Sequence, residues 1–103
     1  MGNGQQRSEA RAARNSRAHE PIEPPEDLPG FPDAGEAKPK TPRPDGGFRK
    51  RWKDRKRGRI FEWDYRHGRV EVYNHTGKRH LGEFDPKTGK QLSRGRKDRR
   101  VEP

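Results

Sequence analysis

The chain has 103 residues, of which only 22% are hydrophobic and 41% are charged, with a formal net charge of +10. That length holds one small domain, and that polarity is too high for the whole chain to pack as a globule, so part of it is expected to be disordered. The charge favours a polyanionic partner; the absence of cysteine excludes disulfides and thiolate metal sites, and no apolar run reaches signal-peptide or membrane-spanning length. Export would therefore need something other than a Sec signal in this chain.

Taken in chain order, residues 1–20 carry Ala and Arg at fair helical density but no apolar stripe. They are expected to be mostly disordered, with at most a transient helix. Eight of the ten prolines lie between Pro21 and Pro44, which predicts an extended linker. Within it, Leu28 and Phe31 form an apolar spot suited to docking on a folded part. The composition changes near Gly46-Gly47. Residues 1–45 hold 7 Lys/Arg and 8 Asp/Glu, a net of −1, whereas residues 46–103 hold 19 and 8, a net of +11. The reading is a disordered or partly helical Pro-rich lead-in over 1–45 and a basic β-sheet domain over 46–103.

The second half is β in character. Arg59–Tyr65 and Arg69–Asn74 alternate apolar with polar residues, Lys78–Phe84 and Lys90–Ser93 are further strand candidates, and Arg49–Trp52 is a possible first strand. His67-Gly68, Thr76-Gly77 and Asp85-Pro86-Lys87-Thr88-Gly89 mark turns. The expected fold is mainly β: a small, highly twisted antiparallel meander. If His67-Gly68 is a two-residue hairpin loop, Asp64 pairs with Glu71, Trp63 with Val72 and Glu62 with Tyr73. A turn at Thr76-Gly77 sets His80 opposite Tyr73, Leu81 opposite Val72 and Gly82 opposite Glu71. One face then collects Phe61, Trp63, Tyr65, Val70, Val72 and Leu81; the other collects Glu62, Asp64, Glu71, Tyr73 and His80.

Two readings of the second face stand side by side. Sheets with one solvated side are common. Yet like charges facing across strands cost roughly 0.2–1 kcal/mol, and clustered carboxylates suit acid–base work: Arg59, Arg66 and Arg69 would hold them ionised, or mutual repulsion would raise one pKa towards neutrality. His67 is either an ordinary exposed turn residue or an imidazole oriented by Asp64. His80 fits packing and RNA contact equally well. No histidine spacing suggests zinc. The basic run Arg49–Arg59 offers phosphate-binding charge through Lys50, Arg51 and Arg59, with Trp52 as a base-stacking candidate, and Arg94–Arg100 extends it.

Lys50-Arg51-Trp52, Phe61-Glu62-Trp63-Asp64, His67-Gly68, Glu71, Tyr73 and the ungapped run His80–Leu92 together resemble the cytotoxic ribonuclease domain of the ribosome-inactivating E-group colicins and cloacin. Leu28–Pro32 and Lys40-Thr41-Pro42 resemble that domain's lead-in, so the likeness covers roughly residues 28–100. The resemblance implies a strongly twisted antiparallel sheet with a short helical N-terminal part. It implies an endoribonuclease that cuts 16S ribosomal RNA in the decoding region of the 30S subunit and halts translation. The family's catalytic Asp, His and Glu fall on Asp64, His67 and Glu71, its active-site Tyr on Tyr73, and its C-terminal Arg on Arg99, with Arg100 as the alternative. Residues 1–27 do not match, and the long receptor-binding and translocation domains of whole colicins are absent.

The mechanism expected on this basis needs no metal or cofactor. Glu71 would take the ribose 2′-OH proton, His67 would protonate the leaving 5′-oxygen, Arg99 or Arg100 would stabilise the phosphorane-like transition state, and Tyr73 would position the base or phosphate. The implied partners are the ribosome and an acidic immunity protein; the implied setting is a secreted or delivered bacteriocin acting in the target bacterial cytoplasm. The rival readings are a non-catalytic RNA- or ribosome-binding module, and a toxin ribonuclease with another target such as tRNA.

Overall fold

A computed structural model describes residues 20–103. The helical tendency considered for residues 1–20 falls almost wholly outside them. Six strands form one antiparallel sheet in chain order: β1 (Gly35–Ala37), β2 (Arg51–Asp54), β3 (Arg59–Asp64), β4 (Arg69–Asn74), β5 (His80–Phe84) and β6 (Gln91–Arg94). This is the expected meander, open at β1 and β6. There is no helix among the described residues.

Three of the hairpins share one turn design. An aspartate ends a strand or, as Asp85 does after β5, directly follows one; its Oδ1 accepts two main-chain N–H groups inside the turn, and a glycine closes it four residues later. Asp54 accepts from Lys56 and Arg57 (3.0 and 3.1 Å), Asp64 from Arg66 and His67 (2.9 and 3.1 Å), and Asp85 from Lys87 and Thr88 (2.7 and 3.1 Å). In the central turn the Gly68 N–H donates to Asp64 O at 2.9 Å, and Gly68 has φ +70°, where a side chain would be strained. Gly58 and Gly89 hold the matching positions with φ +66° and +78°.

This design corrects the register expected from a two-residue loop. The β3–β4 loop has four residues, Tyr65–Gly68, so Glu62 faces Glu71, Trp63 faces Val70 and Asp64 faces Arg69. The slip is by two residues, which preserves the faces. In β4–β5, Tyr73 faces His80 as expected, but a bulge at Leu81 then sets Gly82 opposite Val72 and Glu83 opposite Glu71.

The apolar face carries Trp52, Phe61, Trp63, Val70 and Val72, all buried. The lead-in covers it, with Leu28 and Phe31 buried in the same cluster and Phe31 packed on Phe61 at 4.8 Å between ring centroids. Each such side chain contributes roughly 1.5–3 kcal/mol on burial. Main-chain oxygens of the lead-in accept from indoles: Trp63 Nε1 donates to Ile22 O (2.7 Å) and Trp52 Nε1 to Glu26 O (3.0 Å). Thus Leu28 and Phe31 dock as expected. The compositional change at Gly46-Gly47 falls inside a single sheet, because β1 pairs with β2.

Candidate active site on the carboxylate face

The carboxylate face is not a wet surface. Glu62, Asp64, Glu71, Tyr73 and His80 are all buried. The C-terminal segment crosses it: Arg96 N–H donates to His80 Nδ1 (2.9 Å), Val101 N–H to Gly77 O (2.8 Å), and Arg51 Nη1 to Glu102 O (2.7 Å).

Two glutamates lie directly opposite each other here, and they are neutralised differently. Glu62 accepts from Arg51 (Nε 3.2 Å, Nη2 2.7 Å) and from Thr41 Oγ1 (2.6 Å). Both side chains of the Glu62–Arg51 pair are shut away from water, at 2% and 0% exposure. Glu71 accepts from His80 Nε2 (2.6 Å) and is paired with Arg99 Nη1 (2.8 Å). Arg99 is 39% exposed, so this pair opens to solvent on one side. Because His80 Nδ1 is an acceptor from Arg96, the ring carries its proton on Nε2 and donates it to Glu71. Burial disfavours the Arg99 charge, but Glu71 outweighs that and holds the guanidinium above its ordinary pKa.

Asp64 completes the site. While Oδ1 caps the turn, Oδ2 takes a hydrogen bond from His67 Nδ1 at 2.8 Å. A carboxylate only accepts, so Nδ1 carries the proton and Nε2 is the free end of the ring. His67 is 54% exposed, and that end is within reach of a ligand. Burial alone would raise the Asp64 pKa, but the His67 ring and the two main-chain N–H groups hold it below the usual carboxylate range. Tyr73 packs on His80 with 5.0 Å between ring centroids. Burial, then the charges of Glu71 and Glu62, push its phenol up to about 12, so at neutral pH it is a neutral hydrogen-bonding group.

Asp64, Glu71 and Glu83 each present an oxygen within 4.8 Å of the other two. Each has a nitrogen partner of its own: His67 for Asp64, His80 and Arg99 for Glu71, and Arg69 (3.0 Å) for Glu83. The arrangement unites acceptor carboxylates, one accessible imidazole and the partly exposed guanidiniums of Arg99 and Arg69. It can take a proton, give a proton and meet a negative charge.

Asp64, His67, Glu71, Tyr73, His80 and Arg99 therefore meet on one face. Arg100 is exposed, and Arg99 is the arginine set against Glu71. Four residues assigned to RNA contact are otherwise engaged. Arg51 is fully buried in its pair with Glu62. Trp52 is fully buried in the apolar core, 6.5 Å from Trp63, and presents no face to a base. Arg59 alternates onto the apolar side, beside Phe61, and is held by Asp54 (2.8 Å); it does not support the carboxylates. Lys50 ties down the lead-in through Pro25 O (3.1 Å). Sequence reasoning missed Glu83, whose face is set by the Leu81 bulge. A signal was present: Phe84 reaches the apolar face, where it packs on Phe31, only if one residue is inserted after His80. It also missed Thr41, which hydrogen-bonds Glu62.

The family model described as Cytotoxic matches residues 22–102. Cloacin from Escherichia coli is 48% identical over 68 residues, 65% of this chain and 12% of cloacin. Colicin-E6 and colicin E3 from the same organism are 47% and 48% identical over the same length and the same shares. The chain thus matches only a small part of these relatives, while the family match takes in residues 22–45 of the lead-in, including 22–27 where no likeness was expected, and all six strands; on that extent, the chain belongs to the Cytotoxic family.

Proposed function

We propose that this chain is the ribonuclease module of a bacteriocin, cutting 16S ribosomal RNA in the decoding region. The observation that carries this reading is the pairing of Asp64 with His67 beside the pairing of Glu71 with Arg99. Family membership and the likeness to cloacin and the colicins support it.

In the reaction, Glu71 accepts the proton of the ribose 2′-hydroxyl. The 2′-oxygen attacks the adjacent phosphorus, and the bond to the 5′-oxygen breaks. His67, as imidazolium on the Asp64 carboxylate, delivers a proton from Nε2 to that departing oxygen. Arg99 swings its attraction from Glu71 towards the charge gathering on the phosphoryl oxygens. The products are a 2′,3′-cyclic phosphate and a 5′-hydroxyl. Glu71 ends protonated and His67 neutral, so solvent exchange resets both. His80 and Asp64 act by positioning: one holds Glu71, the other holds His67.

The net charge of +10 suits the ribosome as target and an acidic immunity protein as inhibitor, bound fast and in a salt-dependent way. In this reading the module works in the cytoplasm of the target bacterium. Incubating the purified chain with intact ribosomes tests it. A single discrete fragment from the 3′ end of 16S RNA is expected; intact 16S RNA, or cleavage confined to tRNA, would overturn the target assignment.

A further inference from the structure

Beside Asp64 lies a cavity of about 340 Å³ lined by Arg43, Arg49, Tyr65 and Arg66 among others, with Glu71 not in its lining. That is within the range of small-ligand sites, roughly 300–1,000 Å³. Its floor is built. The Arg43 guanidinium lies 3.8 Å from the centroid of the Tyr65 ring, a stacking distance. Tyr65 is fixed in turn, because its hydroxyl accepts from Lys50 N (3.1 Å) and its ring packs against the core cluster. Arg49 is anchored by donation to Trp63 O (3.2 Å). Arg66 belongs to the turn that Asp64 caps and is exposed. The acidic members are Glu20, Asp45, which already pairs with Arg43 at 3.2 Å, and Asp64, which already pairs with His67 at 2.8 Å.

We infer that this cavity is the subsite for a nucleotide flanking the scissile phosphate: its base stacks on the outer side of the Arg43–Tyr65 pair and its phosphate meets Arg66 and Arg49. The inference rests on the ribonuclease reading above and deepens it by assigning the recognition of a base. The chemistry is specific to this pocket. A planar guanidinium already held over a ring, 3.8 Å from its centroid, offers its second side to a purine or pyrimidine at little ordering cost, as a lysine at the same position does not. Asp64 lines the same cavity, so a nucleotide seated there has its sugar–phosphate beside His67. Neither Arg43 nor Tyr65 contacts the reacting groups, so they act on binding and specificity alone.

The test uses the 103-residue chain and two five-nucleotide probes, oligodeoxyadenylate and an abasic deoxyribose-phosphate strand of the same length. Neither has a 2′-hydroxyl, so the proposed chemistry cannot cut them. Fluorescence anisotropy should give tighter binding to the adenylate than to the abasic strand by about tenfold, within the span expected of one base on such a stack. Arg43→Lys keeps the charge and removes the plane; it should erase that factor while leaving abasic binding unchanged. Arg66→Ala should weaken both probes alike. Equal binding of the two probes by the unaltered chain, or a factor that survives Arg43→Lys, overturns the subsite. Failure of the ribonuclease reading is separable: it appears as uncut ribosomal RNA whatever the probes do.

Discussion

The turns at Asp54–Gly58 and Asp64–Gly68 are built alike and do different things. In both, the aspartate caps two main-chain N–H groups with Oδ1 and has Oδ2 to spare. At Asp54 that second oxygen meets Arg59 at 2.8 Å, with Arg57 at 3.5 Å. At Asp64 it meets the His67 ring. The fourth residue of the turn is Arg57 in one case and His67 in the other. A permanently charged guanidinium gives a structural clamp, whereas an imidazole tied down through Nδ1 keeps a second ring nitrogen for the proton transfer proposed above. The comparison teaches that an aspartate caps the turn at both positions, before any chemistry, and that the one difference beside it, Arg57 against His67, is what the proposed mechanism uses.

The strongest way to break the comparison is to remove the proton carriers. His67→Ala and Glu71→Gln should each lower ribosomal RNA cleavage by roughly 10²–10⁴-fold, measured as single-turnover rates, with far-UV circular dichroism unchanged. Arg57→Ala in the sister turn should leave the rate alone. Next comes the guanidinium: Arg99→Ala should cost roughly 10²–10³-fold in rate, as loss of one preorganised charge-stabilising group does, and Arg100→Ala should cost nothing measurable.

The caps themselves come third. Asp54→Ala and Asp64→Ala should each destabilise the fold by about 1–3 kcal/mol in urea, because each strands main-chain N–H groups and removes charged acceptors. Only Asp64→Ala should also abolish cleavage. Equal loss of activity in both would mean that Asp64 matters as a cap alone.

The smallest effect is in the acid limb of stability. Both aspartates are held below their ordinary pKa. At Asp54 the Arg59 hydrogen bond leads, over the opposing effect of burial; at Asp64 the His67 ring and the turn N–H groups overcome burial. A carboxylate lowered in the folded state binds fewer protons there than when unfolded. Its contribution is full above the unfolded value, about 3.9, and fades as pH falls through the folded value. Thermal melts from pH 6 down to pH 2 should therefore fall less steeply for Asp54→Asn and Asp64→Asn than for the unaltered chain. An unchanged slope would contradict the assigned shifts.

How much of this was legible in the sequence follows from the same turns. The two faces were readable because alternation in Phe61–Asp64 and Arg69–Tyr73 survives a two-residue slip. The register was not, because His67-Gly68 looks like a complete two-residue loop; only the repeated spacing of Asp54 to Gly58, Asp64 to Gly68 and Asp85 to Gly89 exposes the four-residue design. Trp52 and Arg51 misled because a basic run with an aromatic reads as an RNA platform, while alternation within β2 sends Trp52 into the core and Arg51 onto buried Glu62. Arg99 lies in a tail with no strand pattern, so nothing but the family resemblance singled it out. The lead-in was too proline-rich to announce β1, which needs only three residues on an exposed edge.

The central claim is that Glu71 and His67 move protons at a ribose 2′-hydroxyl. Mass spectrometry of the new 3′ terminus on cleaved 16S RNA tests it most directly. A terminal 2′,3′-cyclic phosphate, with a 5′-hydroxyl on the downstream fragment, is the predicted result. A free 3′-hydroxyl facing a 5′-phosphate would mean that water, not the ribose, attacked phosphorus, and would contradict the account.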